Sequence, residues 1–386
     1  MAERILFHVQ HLLGIGHLKR AAAIARAAAD AGLEVTVASG GFPAPGTDFG
    51  RARIVQLPPA RAEDDSFKVL LDEAGRPIDD AWKAARREKL LEVFRDVKPD
   101  VILFELFPFG RRQFRFEILP LLDAAAQVRP RPAIACSVRD ILVEKPRPER
   151  NREVVDTVRK YFDAVLVHGD PALIGFAETF SLATEIEDRI RYTGYVADGA
   201  PIGPSAGKAT PEVVVSAGGG SVGEPLMRAA LAARPLTKAT GLPWRLLTGP
   251  NLPDAVFEDL RRSAPSGVTV ERHRADFRNL LAASAVSISQ AGYNTVMDLL
   301  GSGARAVVVP FAGGQESEQS VRARLLAKRG WLEMVEPDDL TPETLARAVD
   351  RVLAATPPAV AGIDLNGMVR AAGELRALAR KARRAA

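Results

Sequence analysis

The chain has 386 residues, 47% hydrophobic and 26% charged, which is long enough for two domains and excludes a disordered polymer. Its formal net charge of +4, at a sequence pI of about 9.3, is too small an excess to argue for a nucleic-acid partner. Cys136 is the single cysteine, so an intramolecular disulfide and a cysteine-built zinc site are excluded, and its apolar run "AIACSV" predicts a buried, inert thiol.

The opening "MAERILFHVQ" enters a strand directly, without the long apolar core of a secretory leader. No stretch approaches the roughly 18 apolar residues of a membrane span. A soluble, cytoplasmic protein is expected. The first strand, "ILFHV" from Ile5, is followed by "GIGHLKR", which carries Gly16 and His17 into a helix over 17–31. Further strands are predicted at "EVTVA" from Glu34, "RIVQL" from Arg53, "VILFEL" from Val101, "AIACSV" from Ala133 and "AVLVHG" from Ala164. Unbroken apolar runs of this kind suit a parallel sheet covered on both faces. The stretch "DGAPIGPSAGKATP" then reads as a connector. We therefore place a first domain over 1–198, a linker over 199–211 and a second domain over 212–366.

The second domain repeats the plan, with strands at "VVVSA" from Val213, "WRLLTG" from Trp244, "VTVER" from Val268, "AVSIS" from Ala285 and "AVVVP" from Ala306. Helix 341–355 supplies one of its covers. Residues 367–386 form a C-terminal helix that either packs back on the first domain or stays solvated. Its basic end "RALARKARRAA" also suits an anionic membrane surface, so a peripheral contact with the inner face of the membrane is a second expectation. The chain reads as two doubly wound α/β halves, each opening strand, glycine turn, helix.

In such sheets ligands bind at the carboxyl ends of the strands, near the point where strand order reverses. A helix starting there offers free N–H groups and the positive end of its dipole, and glycine lets a phosphate come close. Gly219, Gly220 and Ser221 in "SAGGGSVGE" fit a diphosphate cradle; a bare strand-to-helix turn is the alternative. Neither glycine turn carries a P-loop Lys-Ser/Thr, and "GIGHLKR" lacks the third glycine of a dinucleotide fingerprint. A later stretch, "SISQAGYNTVMDLLGSGARAVVVPFAGGQESEQSVRARLLAKRG", places Gln290, Gly292, Asn294, Thr295 and Asp298 on a turn and a helix start. Asp298 there is favoured by the helix dipole and could equally hold two vicinal hydroxyls.

The pattern G-x-x-T-x-x-[DE], a strand ending V-P-F, and a loop with Gln before a helix resembles the C-terminal domain of family 28 glycosyltransferases. That family includes the N-acetylglucosaminyltransferase of lipid-linked peptidoglycan precursor synthesis. The resemblance is specific over about 213–355 and looser in the first half, through "GIGH". It implies a GT-B fold, two Rossmann-like domains facing across a cleft, with a nucleotide-sugar donor on the second. It also implies that Asp298 takes the ribose, that Gly292 and Thr295 meet the diphosphate, and that Gln319 reads the donor sugar. The chain departs from the family in having Asp at 298 for the commoner Glu, Gln290 for a basic residue, and one extra residue in loop 311–318.

Sugar transfer needs a stabilised leaving diphosphate and a base for the acceptor hydroxyl. His17 fits the base, with a pKa expected near 6.5, and a structural cap is its bland alternative. Glu105, at the end of its strand, either orients His17, acts as base, or pairs with Arg111 or Arg112. Arg139 and Asp140 end the next strand, where Asp140 is a third candidate base and an Arg139–Asp140 ion pair is the alternative. Gly16, Arg139 and His168 are placed on the acceptor side, and His273 near the nucleobase. The reading is an inverting, metal-independent transferase of a UDP-sugar (UDP-GlcNAc or UDP-hexose), with no cofactor. Its acceptor is a small molecule, a glycan or a lipid-linked group. A nonhydrolysing UDP-sugar epimerase of the same fold, or a nucleotide-sugar-binding protein without transfer, are the alternatives.

Overall fold

In the computed structural model, residues 2–12, 16–44, 46–64, 68–142, 148–197, 211–219, 222–311, 318–356 and 363–384 are described. Contacts divide the chain into two units, Met1–Val196 with Asp364–Ala386, and Ala197–Ile363.

The first unit is built on β1 (Arg4–Val9), β2 (Glu34–Ser39), β3 (Arg53–Gln56), β6 (Val101–Glu105), β7 (Ala133–Arg139), β8 (Ala164–His168) and β9 (Ile190–Tyr192). A small antiparallel ribbon, β4 (Arg61–Ala62) and β5 (Leu70–Leu71), stands apart. The sheet order is β3-β2-β1-β6-β7-β8-β9 with every pairing parallel, so the order reverses between β1 and β6. Helices α1 (Gly16–Asp30), α2 (Asp80–Val97), α3 (Arg115–Gln127) and α4 (Pro148–Tyr161) provide the crossovers.

Strand alternation sorts the side chains onto two faces. Ile5, Phe7, Val101, Leu103, Ala133, Ala135, Ala164 and Leu166 meet α1 in one core. Leu6, Ile102, Phe104, Ile134, Cys136, Val165 and Val167 form the other core with residues of α2, α3 and α4. Cys136 is fully buried there, and burial pushes its thiol pKa well up.

The last helix, α11 (Gly367–Arg384), packs on α1 in the first face. Its Ala371, Ala372, Leu375 and Ala379 are buried against the alanines of α1, small residues that let the two helices approach closely. The basic end, expected in solvent or at a membrane, is tied into the unit: Arg383 pairs with Asp100 at 2.7 Å and Arg380 with Glu3 at 3.1 Å. Burying Leu375 alone is worth about 1.5–3 kcal/mol, against under about 1 kcal/mol for a pair as exposed as Arg380–Glu3. Packing rather than charge holds the helix.

The second unit has β10 (Val213–Ser216), β11 (Trp244–Leu247), β12 (Val268–Glu271), β13 (Val286–Ser289), β14 (Ala306–Val308) and β15 (Glu333–Met334). The order β12-β11-β10-β13-β14-β15, all parallel, reverses between β10 and β13. Helices α5 (Glu224–Ala233), α6 (Asp254–Ser263), α7 (Phe277–Ala283), α8 (Tyr293–Ser302), α9 (Glu318–Lys328) and α10 (Pro342–Ala354) belong to it. Trp244, Leu246, Val286, Ile288 and Val307 anchor its core. The strands expected from sequence are present, and the short edge strands β9 and β15 are added to them.

Candidate active site

The first candidate site lies where the order of the first sheet reverses. Glu105 is the last residue of β6, and register sets Ser137 beside it on β7 and His168 beside Arg139 on β8. Glu105, Ser137 and His168 continue the face that carries Leu103, Ala135 and Leu166, the face covered by α1. His17 and Arg20, three apart in the first turns of α1, reach down onto that face.

The contacts are short and directional. His17 Nδ1 lies 2.9 Å from Glu105 Oε1, and Arg20 pairs with the same oxygen. Ser137 Oγ donates to Glu105 Oε2 at 2.7 Å. Arg139 Nη2 stands 3.2 Å from His17 Nε2. A carboxylate only accepts and a guanidinium only donates, so the proton of neutral His17 is on Nδ1 and the lone pair on Nε2. Arg20 Nη2, at 3.2 Å from Nδ1, then lies alongside a second donor aimed at the same carboxylate.

The electrostatics set the protonation states. Burial works against the Glu105 carboxylate, but Arg20 and the bonds from His17 and Ser137 outweigh it and hold its pKa down at about 2. Burial is also the largest influence on His17, and Arg139, Arg111 and Arg20 add to it. Its pKa is lowered to about 3 despite the Glu105 bond. The expected value near 6.5 is corrected accordingly. Arg111, which donates to the Gln10 carbonyl at 2.6 Å, is itself lowered to about 10 by burial and the two neighbouring arginines.

Three other expectations change. Glu105 pairs with Arg20 rather than with Arg111 or Arg112; Arg112 faces Glu153 at 3.4 Å. Asp140 is fully buried and accepts from the Tyr195 hydroxyl at 2.8 Å and the Ile141 amide at 2.9 Å, which takes it out of reach as a base. His168, expected on the acceptor side, is fully buried and bonded to Ser137 through Nε2 and to Thr193 through Nδ1, each at 2.8 Å. Gly16 is exposed at the start of α1. Sequence reasoning missed Arg20, Ser137 and Thr193. The only available signal was spacing, Arg20 one helical turn after His17 and Ser137 two residues before Arg139 on one strand face.

The second unit presents its expected residues at its own reversal point. Gly218, with φ 58°, and Gly219 follow β10; a Cβ on Gly219 would meet nothing nearer than Asn251 at 3.8 Å. Gly220 and Ser221 lie outside the described residues. After β13, Gly292 opens α8 without a side-chain cap, and a Cβ there would point into open space. Asn294 and Thr295, both partly exposed, sit in that first turn, where helix N–H groups suit an anion. Gln290 donates to the Val222 carbonyl at 3.3 Å. Asp298 lies beyond the first turn and pairs with Arg278 at 3.3 Å, so a cation on α7 rather than the helix dipole is its partner. Gln319 accepts from the Phe311 amide at 3.0 Å, and His273 is exposed just past β12. Among the described residues, no group of three or more His, Cys, Asp or Glu side chains could hold a metal ion. No helix among them is long and apolar enough to cross a membrane.

Residues 213–360 match the glycosyltransferase family 28 C-terminal domain. Relatives named UDP-N-acetylglucosamine–N-acetylmuramyl-(pentapeptide) pyrophosphoryl-undecaprenol N-acetylglucosamine transferase are found in several bacteria. That of Granulibacter bethesdensis is 37% identical over 81 residues, 20% of this chain and 21% of the relative. That of Synechococcus elongatus is 29% identical over 167 residues, 42% of this chain and 44% of the relative. The chain thus matches well under two thirds of the length of these relatives. Two solved structures share the architecture over nearly the whole chain. CalG4, the calicheamicin glycosyltransferase, aligns with a TM-score of 0.62 at 18% identity, covering 100% of this chain and 95% of that one. Acinetobacter baumannii MurG aligns at 0.61 and 14% identity, covering 97% and 99%. The fold is GT-B.

Proposed function

From a chain that carries a family 28 C-terminal domain on a GT-B fold, we propose a glycosyltransferase that moves a sugar from a UDP-sugar, UDP-GlcNAc or UDP-hexose, to an acceptor hydroxyl. The observation that carries this reading is the His17–Glu105 pair at the strand ends of the first sheet, with the lone pair of His17 on Nε2. The acceptor hydroxyl gives its proton to Nε2 as its oxygen bonds to the anomeric carbon. The bond from that carbon to the diphosphate breaks, and its electron pair leaves with UDP. Attack opposite the leaving group inverts the anomeric centre. Glu105, fixed as an anion, stabilises the positive charge that the ring gains.

The donor belongs to the second unit in this reading. Asp298 accepts from the ribose hydroxyls, the turn at Gly219 and the uncapped start of α8 with Gly292, Asn294 and Thr295 take the diphosphate, Gln290 and Gln319 face the sugar, and His273 meets the nucleobase. Helix N–H groups supply the charge stabilisation without a metal or organic cofactor. The names of the bacterial relatives favour a lipid-linked acceptor, met at the inner face of a membrane.

His17→Ala should lower turnover by roughly 10²–10⁴, while calorimetry finds UDP affinity unchanged. Full activity in EDTA and a product of opposite anomeric configuration, read by NMR, test the metal-independent, inverting course. A His17→Ala protein with near-normal turnover at saturating substrates removes the base assignment.

A further inference from the structure

Behind the Glu105–His17 pair lies a buried polar chain that the proposed reaction does not itself require. Thr193, His168 and Ser137 are each fully buried. Their contacts permit one consistent order of donors. Ser137 has a single hydroxyl proton and two partners, Glu105 Oε2 at 2.7 Å and His168 Nε2 at 2.8 Å. The carboxylate can only accept, so Ser137 gives its proton to Glu105 and accepts from His168 Nε2–H. Neutral His168 then has its lone pair on Nδ1, which accepts from the Thr193 hydroxyl at 2.8 Å, the shortest of that hydroxyl's contacts, ahead of the Gly194 and Val167 carbonyl oxygens at 3.1 and 3.4 Å. Donors therefore run one way, from Thr193 through His168 and Ser137 to Glu105, and His17 donates to the carboxylate from the other side.

We propose that Ser137 and His168 are positioning residues that fix the Glu105 carboxylate, and through it the ring of His17 with its proton on Nδ1 and its lone pair on Nε2, facing Arg139. The proposal rests on the transferase reading for its purpose, though its geometry does not. The terminal torsion of a glutamate is broad and roughly two-fold, so a single bond to Oε1 leaves the carboxylate free to turn. Arg20 and His17 share Oε1, and Ser137 holds the other oxygen. Ser137 would be a loose pin by itself, because a hydroxyl rotates. His168 removes that freedom by donating to it, and Thr193 fixes the tautomer in which His168 can do so. Stability gives no reason for such a chain, since apolar residues of similar volume usually serve a core as well or better. A histidine buried neutral at this depth also makes the unit sensitive to acid.

Histidine NMR gives a readout that packing alone would not move, because the chain has only 5 histidines and selective labelling resolves their rings. At neutral pH, His17 should be protonated on Nδ1 and His168 on Nε2. Ser137→Ala should move His17, whose ring does not touch Ser137, to a mixture of tautomers. The same variant should cut turnover, with donor hydrolysis as the assay, by about 10- to 100-fold, the usual effect of losing an outer-shell partner, without changing UDP affinity. Ser137→Thr, which keeps the hydroxyl, should restore both. Thr193→Val, at the far end of the chain and of similar volume, should shift His17 in the same direction and decides the matter if Ser137→Ala does not fold. Unchanged His17 resonances in folded Ser137→Ala and Thr193→Val would overturn the proposal. Failure of the transferase reading looks different: His17→Ala would keep its turnover while the tautomers still respond to Ser137.

Discussion

Acid should destabilise the first unit through two histidines, and the size of the effect follows from their surroundings. His17 and His168 both have pKa values lowered to about 3, chiefly by burial, with nearby arginines adding to the shift. In the unfolded chain each titrates near the ordinary histidine value of about 6.5. Between those limits the unfolded chain binds more protons than the native one, so stability falls as pH falls. The slope is about 1.36 kcal/mol per pH unit for each ring, or about 3 kcal/mol for each by pH 4.5. A loss of that order, doubled, is a large part of the roughly 5–15 kcal/mol that holds a domain folded. Glu105, lowered to about 2, adds its own loss only below the ordinary glutamate range. His11, also lowered by burial, acts in the same direction as the two rings. The assay is amide exchange of β6 and β7 peptides in urea from pH 7.5 to 4.5, which isolates the first unit in a chain that need not unfold in one step. Replacing the rings, as in His17→Asn with His168→Gln, should leave a protein less stable at neutral pH but with a much flatter pH profile. A first unit equally stable at pH 6.5 and 4.5, or a double variant with the slope of the parent, would refute the reasoning.

Asp298→Ala should weaken UDP binding by about 10- to 100-fold, the loss of charge-assisted bonds worth roughly 1.5–3 kcal/mol each; unchanged affinity by calorimetry removes the ribose role. Gly219→Val should abolish UDP binding at a nearly unchanged melting temperature, because a side chain there meets no protein atom closely; equal binding makes the turn mere punctuation. Arg139→Gln removes the cation 3.2 Å from His17 Nε2 and should raise the pKa of His17 in an NMR titration. No movement would mean that burial alone sets the basicity of the ring.

Strands with unbroken apolar runs were legible in the sequence because burial on both sheet faces leaves that mark. β9 and β15 were not, being short edge strands whose residues are largely half-buried or exposed and carry little apolar pattern. The site showed a similar division. Strand ends pointed to Glu105, Arg139 and His168, and the helix start to His17, because position along an element is local information. Partnership is not local. Sequence proximity suggested Arg111 or Arg112 for Glu105, but sheet register brings Ser137 to Glu105 across 32 residues, and α1 brings Arg20 across 85. The ion-pair partners of the basic end of α11 were hidden for a related reason, since Asp100 and Glu3 lie far away in the chain.

The low basicity of His17 bears on what this site can accept. Arg20, Arg111 and Arg139 lie around the His17–Glu105 pair, and each of the three guanidinium groups lowers the affinity of His17 for a proton. A ring with a pKa of about 3 is a weak base, and a base works best when its pKa lies near the operating pH. Burial cannot be relieved during turnover, but the contribution of the arginines can. On the transferase reading, a substrate that brings negative charge to Arg139 is expected to draw that guanidinium off Nε2 and so remove the largest of the three electrostatic penalties. Glu105, held on its two oxygens, remains in place to stabilise the imidazolium as it forms. On the transferase reading proposed above, the positive charge around His17 is expected to favour an acceptor that carries an anionic group close to the reacting hydroxyl.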